Sequence, residues 1–335
     1  ACDGYADYFP FSHEAGFNFP KKRVIDFIKE ICALPCDKIF HNATYDVGWL
    51  HREGVTVKGR IIDTMIVAPL INENMYWYTL NSLGQEYLQE GKSEAELRQA
   101  AEEWGVDPKA EMWRLPSAYV GTYAAQDAAL TLKLWNHFKI HLEDQNLWNI
   151  FNLETDLFPA LFNMKLTGVR VDLERADGLK KQLVAKEQKL IKEVAKESGI
   201  KEVRIWAATS VAQVFDACKI PYNHTAKGAP SFTKGFLASQ KHPVAQMIMK
   251  IRELNKAHST FIDTIIKHEH NGRIHADIRQ LKGETGGTVT GRLSMSNPNL
   301  QQVPARDKEI GPLIRSLFLP EEGQKWCSAD FSQQE

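Results

Sequence analysis

Fifteen consecutive residues, Thr290 to Pro304, read T-G-R-L-S-M-S-N-P-N-L-Q-Q-V-P, and no helix or strand period runs through them. Gly, Asn, Pro, Ser and Gln dominate, so the stretch is predicted to be ordered loop and turn rather than a core element. Its single cation, Arg292, stands among hydroxyl and amide side chains (Ser294, Ser296, Asn297, Asn299, Gln301, Gln302). Such groups suit phosphates and the minor-groove acceptors that every base pair offers in nearly the same pattern.

Upstream, the chain punctuates itself differently. Lys21 to Leu34 carries Val24, Phe27, Ile28, Ile31 and Cys32 on one helical face. Lys38 to His41 reads as a short strand ending at Asn42, a helix begins near Thr44, and Ile61-Ile62 reads as a second strand leading through Asp63-Thr64 into an apolar helix. This alternation predicts an α/β layer fold. Tyr5 to His13 is a further strand candidate. Leu80 to Ile140 reads as nearly all helix, with Ser93-x-x-Glu96 as a capping box and a long helix from about Ala118 to His141. Beyond Leu166, Gly168 to Asp172 is a strand and turn. Leu173 to Ser198 is a lysine-rich helix whose interleaved glutamates suit a solvated face. Pro243 to His268 is another long helix, on which His258 reads as a satisfied helix-face residue rather than a ligand. Leu317 to Leu319 is a short strand, and Trp326 to Ala329 is predicted to be a strand that presents Asp330 at its end.

The charge is unevenly shared. Residues 1–150 carry 14 Lys and Arg against 21 Asp and Glu, and residues 151–335 carry 27 against 21. An acidic first half and a basic second half fit a chain of which only the second half grips a length of nucleic acid. No apolar run approaches a membrane span of ~20 residues, and no signal peptide opens the chain. The five cysteines (Cys2, Cys32, Cys36, Cys218, Cys327) are scattered and lack zinc-ligand spacing. Cys32 and Cys36 read as buried free thiols rather than zinc ligands, in a reducing, cytoplasmic setting.

Two motifs in the first half place polar groups four residues apart. Asn42 and Asp46 do so where a strand passes into a helix, and Tyr123 and Asp127 do so on one helix face. Alone, each spacing is common. Together with T-G-R-L-S-x-x-x-P-N-L-Q-x-x-P and, about 25 residues later, Asp330-Phe331-Ser332-Gln333-Gln334-Glu335, they resemble family A DNA polymerases of the bacterial DNA polymerase I type, in the style of phage-encoded members. Val120 to Trp135 and Asp63-Thr64-Met65 strengthen the likeness.

That resemblance implies a ribonuclease-H-like α/β 3'-5' exonuclease domain over residues 1–147. A polymerase domain over 148–335 would follow, with a mainly helical thumb at about 173–270 and α+β palm segments at about 148–172 and 271–335. It implies a DNA-directed DNA polymerase with proofreading, acting in replication on primer–template DNA and dNTPs, and leaves room for replisome accessory proteins. The alternatives are a stand-alone 3'-5' exonuclease and a non-catalytic duplex-binding protein. Two Mg²⁺ or Mn²⁺ ions per site would be held about 3.5–4 Å apart by carboxylates, a hard cation preferring oxygen ligands.

By resemblance Asp46 and Asp127 bind metal in the nuclease, Tyr123 orients the attacking water and Asn42 supports the site. Asp330 binds the catalytic metals of synthesis, and Glu335 is the gate that excludes ribonucleotides. Arg292, Asn299, Gln301 and Arg306 contact DNA. Gln334 departs from the aliphatic residue usual there. The first exonuclease motif, Asp-x-Glu, has no counterpart ahead of Asn42, since the D-x-E at Asp172 to Glu174 follows the third motif. A piece of a longer protein, inactive by itself in both reactions, is therefore expected.

Overall fold

The computed structural model describes residues 1–92, 94–283, 286–305 and 307–332. Ser93 of the predicted capping box, Arg306, Gln334 and Glu335 lie outside the described residues. Two compact units make up the chain, residues 1–165 with 278–295, and residues 166–277 with 296–335.

The first unit begins with α1 (Lys21–Ala33), β1 (Lys38–Phe40), α2 (Ala43–Arg52), β2 (Ile61–Asp63) and α3 (Thr64–Ile71). β1 and β2 pair in parallel, with Phe40 opposite Asp63, so both strands deliver their C-terminal ends, and the helices that follow, to one edge. A parallel pair needs a crossover, and α2 supplies it. Helices α4 (Leu80–Leu88), α5 (Ala95–Trp104), α6 (Ser117–Asp144) and α7 (Trp148–Thr167) follow. Ile62, Val67, Leu83, Leu134 and Phe138 close one core between β2, α3, α4 and α6, with Phe151 from the start of α7 packed into it. Phe158, further along α7, buries against Ala43 and Val47 of α2. Apolar spacing along α7 thus ties it to the first unit as far as Lys165. Gln280 joins the same unit, donating from a buried amide to the Glu154 carbonyl and carboxylate at 2.7 and 2.6 Å.

The second unit holds β3 (Val169–Val171), α8 (Leu173–Ser198), α9 (Ala208–Ala217), β4 (Asn223–His224), β5 (Pro230–Ser231), α10 (Lys234–Ser239) and α11 (Pro243–Lys256). A π-helical turn, Ala257–Ile262, then leads into α12 (Asp263–His268), β6 (Glu269–His270) and β7 (Arg273–Ile274). β8 (Asp277–Arg279) and β9 (Ser294–Ser296) fall mostly in the 278–295 segment of the first unit, and α13 (Ile310–Arg315) and β10 (Phe318–Leu319) complete the second. The antiparallel order β10-β3-β7-β6 forms a small sheet. Leu179, Leu183, Leu254, Ile262 and Ile314 fill the core beside it. Asp172 accepts from the Arg175 amide at 2.9 Å and caps α8, which accounts for the downstream D-x-E as a helix start. His258 is buried against Glu187 of α8, and Asn255 donates to the same carboxylate at 3.0 Å.

Most predicted elements form, and the long α8 spans the predicted residues. Two strands do not. Tyr5 to His13 contributes only an isolated bridge between Cys2 and Tyr5. Trp326 to Ala329 forms no regular element and belongs to no sheet among the described residues, and all of residues 321–332 are exposed. A strand exists through its ladder, and among the described residues nothing pairs with this one. In α5 the helix starts at Ala95, where Glu94 makes no side-chain cap. Of Cys32 and Cys36 only Cys32 is buried.

Candidate functional site

The edge of the first unit concentrates charge. β1 ends at Phe40, and Asn42 turns the chain into α2 with φ 67 and ψ 56. That left-handed geometry is one Asn adopts more readily than most residues, so the backbone alone gives a reason for Asn42. Its amide donates to Asp63 Oδ1 at 2.9 Å, the Ala43 amide donates to Oδ2 at 2.7 Å, and the Met65 amide donates to Oδ1 at 2.9 Å. One buried carboxylate therefore caps two helices at once, α2 and α3. Burial pushes the Asp63 carboxyl up to about 6 even though three N–H donors oppose the shift.

Asp46 lies in the first turn of α2, one turn beyond Asn42. Water reaches it, yet crowding by protein, with the charge of Asp63 adding to it, pushes its carboxyl up to about 6. His41 donates through Nδ1 to Thr64 Oγ1 at 2.9 Å, because the Thr64 hydroxyl is itself the donor to the Phe40 carbonyl at 3.1 Å. Its Nε2 is buried without a hydrogen-bond partner. The Tyr78 backbone lies close enough to favour the charged ring slightly but outside bonding geometry. Burial and the nearby Lys92 cation dominate and lower His41 to about 4.

On α6, Tyr123 and Asp127 share a face, as their spacing requires. Lys92, on the loop after α4, donates to Asp127 Oδ2 at 2.6 Å and to the Tyr123 hydroxyl at 3.2 Å, and stands over the Tyr123 ring at 5.2 Å. Burial raises the Tyr123 phenol, and the Lys92 cation works against that rise. Asp127 Oδ1 is buried and has no hydrogen-bond partner. An orphaned carboxylate oxygen in such a place suits a hard divalent cation. Among the described residues, no group of three or more His, Cys, Asp or Glu is arranged to hold a metal ion.

Lys92, Asp63 and His41 are the residues that sequence reasoning missed. Asp63-Thr64-Met65 was visible as a segment, but its double capping role depends on a strand pairing. Lys92 lies 35 positions before Asp127 in a Gly-Lys loop without period, and no local signal points to it.

The sequence-predicted DNA-contacting residues fall in both units. Arg292, in the first, is exposed, and its carbonyl accepts from Thr288 Oγ1 at 2.6 Å. In the second, Asn299 Oδ1 accepts from the Gln301 amide at 3.1 Å and caps the short 3₁₀ turn Leu300–Gln302, leaving both residues exposed. Thr290 to Pro304 is loop and turn apart from β9 and that 3₁₀ turn. Asp330 is exposed on the unpaired segment, whose Trp326 indole donates to the Phe318 carbonyl at 3.2 Å.

One unit thus carries a carboxylate edge, and a polar, Arg-bearing loop is followed in sequence by Asp330. Residues 173–335 match the model of DNA polymerase family A, and residues 4–143 match that of a 3'-5' exonuclease. The chain belongs to DNA polymerase family A, with a 3'-5' exonuclease domain ahead of the polymerase domain. It is 35% identical over 345 residues to a DNA-directed DNA polymerase of Pseudomonas phage M6, covering 99% of this chain and 52% of the relative. It is 29% identical over 352 residues to DNA polymerase I of Chloroflexus aurantiacus, covering 97% of this chain and 35% of the relative. The chain thus spans about half the length of the phage relative. Among solved structures, the POL domain of Pol1 from M. smegmatis, in complex with DNA primer-template and dNTP, shares the fold with a TM-score of 0.71 at 22% identity. The match covers 92% of this chain and 49% of that one. Polymerase and exonuclease domains of this family generally use divalent metal ions. Among the described residues no helix is long and apolar enough to cross a membrane.

Proposed function

We propose that the chain is the exonuclease, thumb and early palm part of a DNA-directed DNA polymerase that extends a primer 3'-hydroxyl on a DNA template and proofreads it in the cytoplasm during replication. On this reading residues 1–147 serve proofreading, and residues 148–335 begin the polymerase, with the thumb at about 173–270. The observation that carries it is the coexistence, on one chain, of the orphaned Asp127 carboxylate beside Tyr123 and the Arg292-to-Gln302 loop followed by Asp330.

Asp127, through Oδ1, and Asp46 are the carboxylates that would hold Mg²⁺ for the nuclease, and Asp330 would do so for synthesis. When bound, such an ion activates water or a hydroxyl and stabilises the departing oxygen. Tyr123 orients the nucleophile through its hydroxyl, and Asn42 shapes the entry to α2. Arg292, Asn299, Gln301 and Arg306 would present donors to the groove of any sequence, and Glu335 would be the gate at the sugar.

The test uses the full-length protein with a primer–template, dNTPs and Mg²⁺. Asp330→Asn should abolish extension while leaving single-strand digestion, and Asp127→Ala should do the reverse. Extension by Asp330→Asn at the unmodified rate would refute the polymerase assignment of that residue.

A further inference from the structure

The strongest unassigned feature of the carboxylate edge is Lys92. It is not a wandering surface lysine. Its side chain is 17% exposed and that of Asp127 is 23% exposed, and the chain is pinned at Glu90, Gly91 and Lys92. The Glu90 amide donates to the Gly84 carbonyl, the Gly91 carbonyl accepts from Gln126 Nε2 at 3.2 Å, and the Lys92 amide donates to Asn81 Oδ1 at 2.9 Å. Glu90 also grips Lys133 of α6 at 2.7 Å. Both helices flanking the loop thus hold it against the face that carries Tyr123 and Asp127.

Donor chemistry then fixes the two partners. An ammonium has donors only, so the Tyr123 oxygen is the acceptor of the 3.2 Å bond and its own proton is left for another acceptor. Asp127 is engaged through Oδ2 alone, which turns Oδ1 to the side where no donor meets it. We propose that Lys92 is a positioning residue of the exonuclease site. It orients the Asp127 carboxylate so that Oδ1 faces the cation, and it sets the Tyr123 hydroxyl as a donor toward the reacting water or phosphate. The inference rests on the exonuclease reading above and extends it to a residue outside both motifs.

The experiment takes the full-length protein with Lys92→Met, which keeps most of the stem without the charge, Lys92→Arg, and Asp127→Ala as reference. Three quantities are read: kcat and KM for digestion of a single-stranded oligonucleotide, Mn²⁺ affinity from the free-ion EPR signal, and the thermal midpoint. Groups that orient metal-binding side chains typically change activity by roughly ten- to hundredfold. Lys92→Met should lose that much kcat with KM within about twofold of the unmodified protein, and Lys92→Arg should recover most of it. Mn²⁺ should bind Lys92→Met no more weakly than the unmodified protein, because a neighbouring positive charge has been removed.

Unchanged kcat in Lys92→Met would overturn the proposal. So would a loss of kcat that travels with weaker Mn²⁺ binding and a lower thermal midpoint, which is the mark of a merely structural lysine. If the unmodified protein digests nothing, or Asp127→Ala digests as well as it does, the exonuclease reading itself fails.

Discussion

Asp63 offers the sharpest test of how the carboxylate edge is built. Its carboxylate is 5% exposed and accepts three backbone amides, from Asn42, Ala43 and Met65, at 2.7 to 2.9 Å. Asp63→Ala strands all three donors in a place water does not reach. Loss of one helix cap costs about 0.5–2 kcal/mol, and here two helix starts depend on one side chain, so the expected loss is about 3 kcal/mol. Asp63→Asn behaves differently. Its single carbonyl oxygen keeps the two bonds that Oδ1 makes, to Asn42 and Met65, and turns an NH₂ donor against the Ala43 amide. One lost bond costs about 1–2 kcal/mol, offset in part because a charge is no longer buried. Asn should therefore lie within about 1 kcal/mol of the unmodified chain above pH 6, well above Ala. Urea unfolding gives the totals, and hydrogen exchange at the Asn42, Ala43 and Met65 amides localises them. In Asp63→Ala all three should lose protection, and in Asp63→Asn chiefly Ala43. Equal costs for the two variants, or undiminished protection of these amides in Asp63→Ala, would refute the double cap.

Three further outcomes follow from the same structure. Glu187→Ala leaves His258 and Asn255 facing an empty, buried acceptor position and should cost about 3–5 kcal/mol in the second unit, measured by thermal unfolding; Glu187→Gln should cost less. Burial lifts the Asp63 carboxyl from 3.8 to about 6, so between those values the folded state holds more protons than the unfolded one. Its contribution to stability is full below about pH 4, is lost as pH rises through 6, and is flat above. The difference in unfolding free energy between the unmodified chain and Asp63→Asn, measured from pH 4 to 7, should show that slope. Finally, the amides of residues 327–330, which pair with no strand among the described residues, should exchange at nearly unprotected rates in this 335-residue chain, and strong protection there would contradict the unpaired geometry.

Local rules read the first unit's motifs well and its connections poorly. The existence of the short strands β1 and β2, the helix that starts after Asn42, and the shared face of Tyr123 and Asp127 all follow from local patterns and spacings of a few residues. Those are the distances over which strand and helix periods are legible. Lys92 reaches Asp127 across 35 positions, and Gln280 reaches Glu154 across 126. Contacts of that kind are decided by packing, and no window of sequence contains them. The error at Trp326 to Ala329 has the same root. β-prone residues mark a segment that can extend, but a neighbour must supply its hydrogen bonds before it becomes a strand. The D-x-E at Asp172 to Glu174 shows the converse: a pattern that chemistry would notice turns out to begin a helix.

The two candidate chemistries stand on unlike foundations. In the first unit Asp63, Asp127 and Lys92 are each held by something else. Asp63 is fixed by three amides, Asp127 by Lys92, and Lys92 by a loop clamped to α4 and α6. A site built this way has these polar groups oriented before substrate arrives, and Asp127 Oδ1, buried without a hydrogen-bond partner, is the atom that a cation would take. Asp330 has none of this support. It projects from an exposed, unpaired segment anchored near it by the Trp326 indole, and carboxylates that bind metal for catalysis must be held to within about 0.5 Å. Ordering Asp330 for such a role therefore requires support that residues 326–329, paired with no strand among the described residues, do not supply.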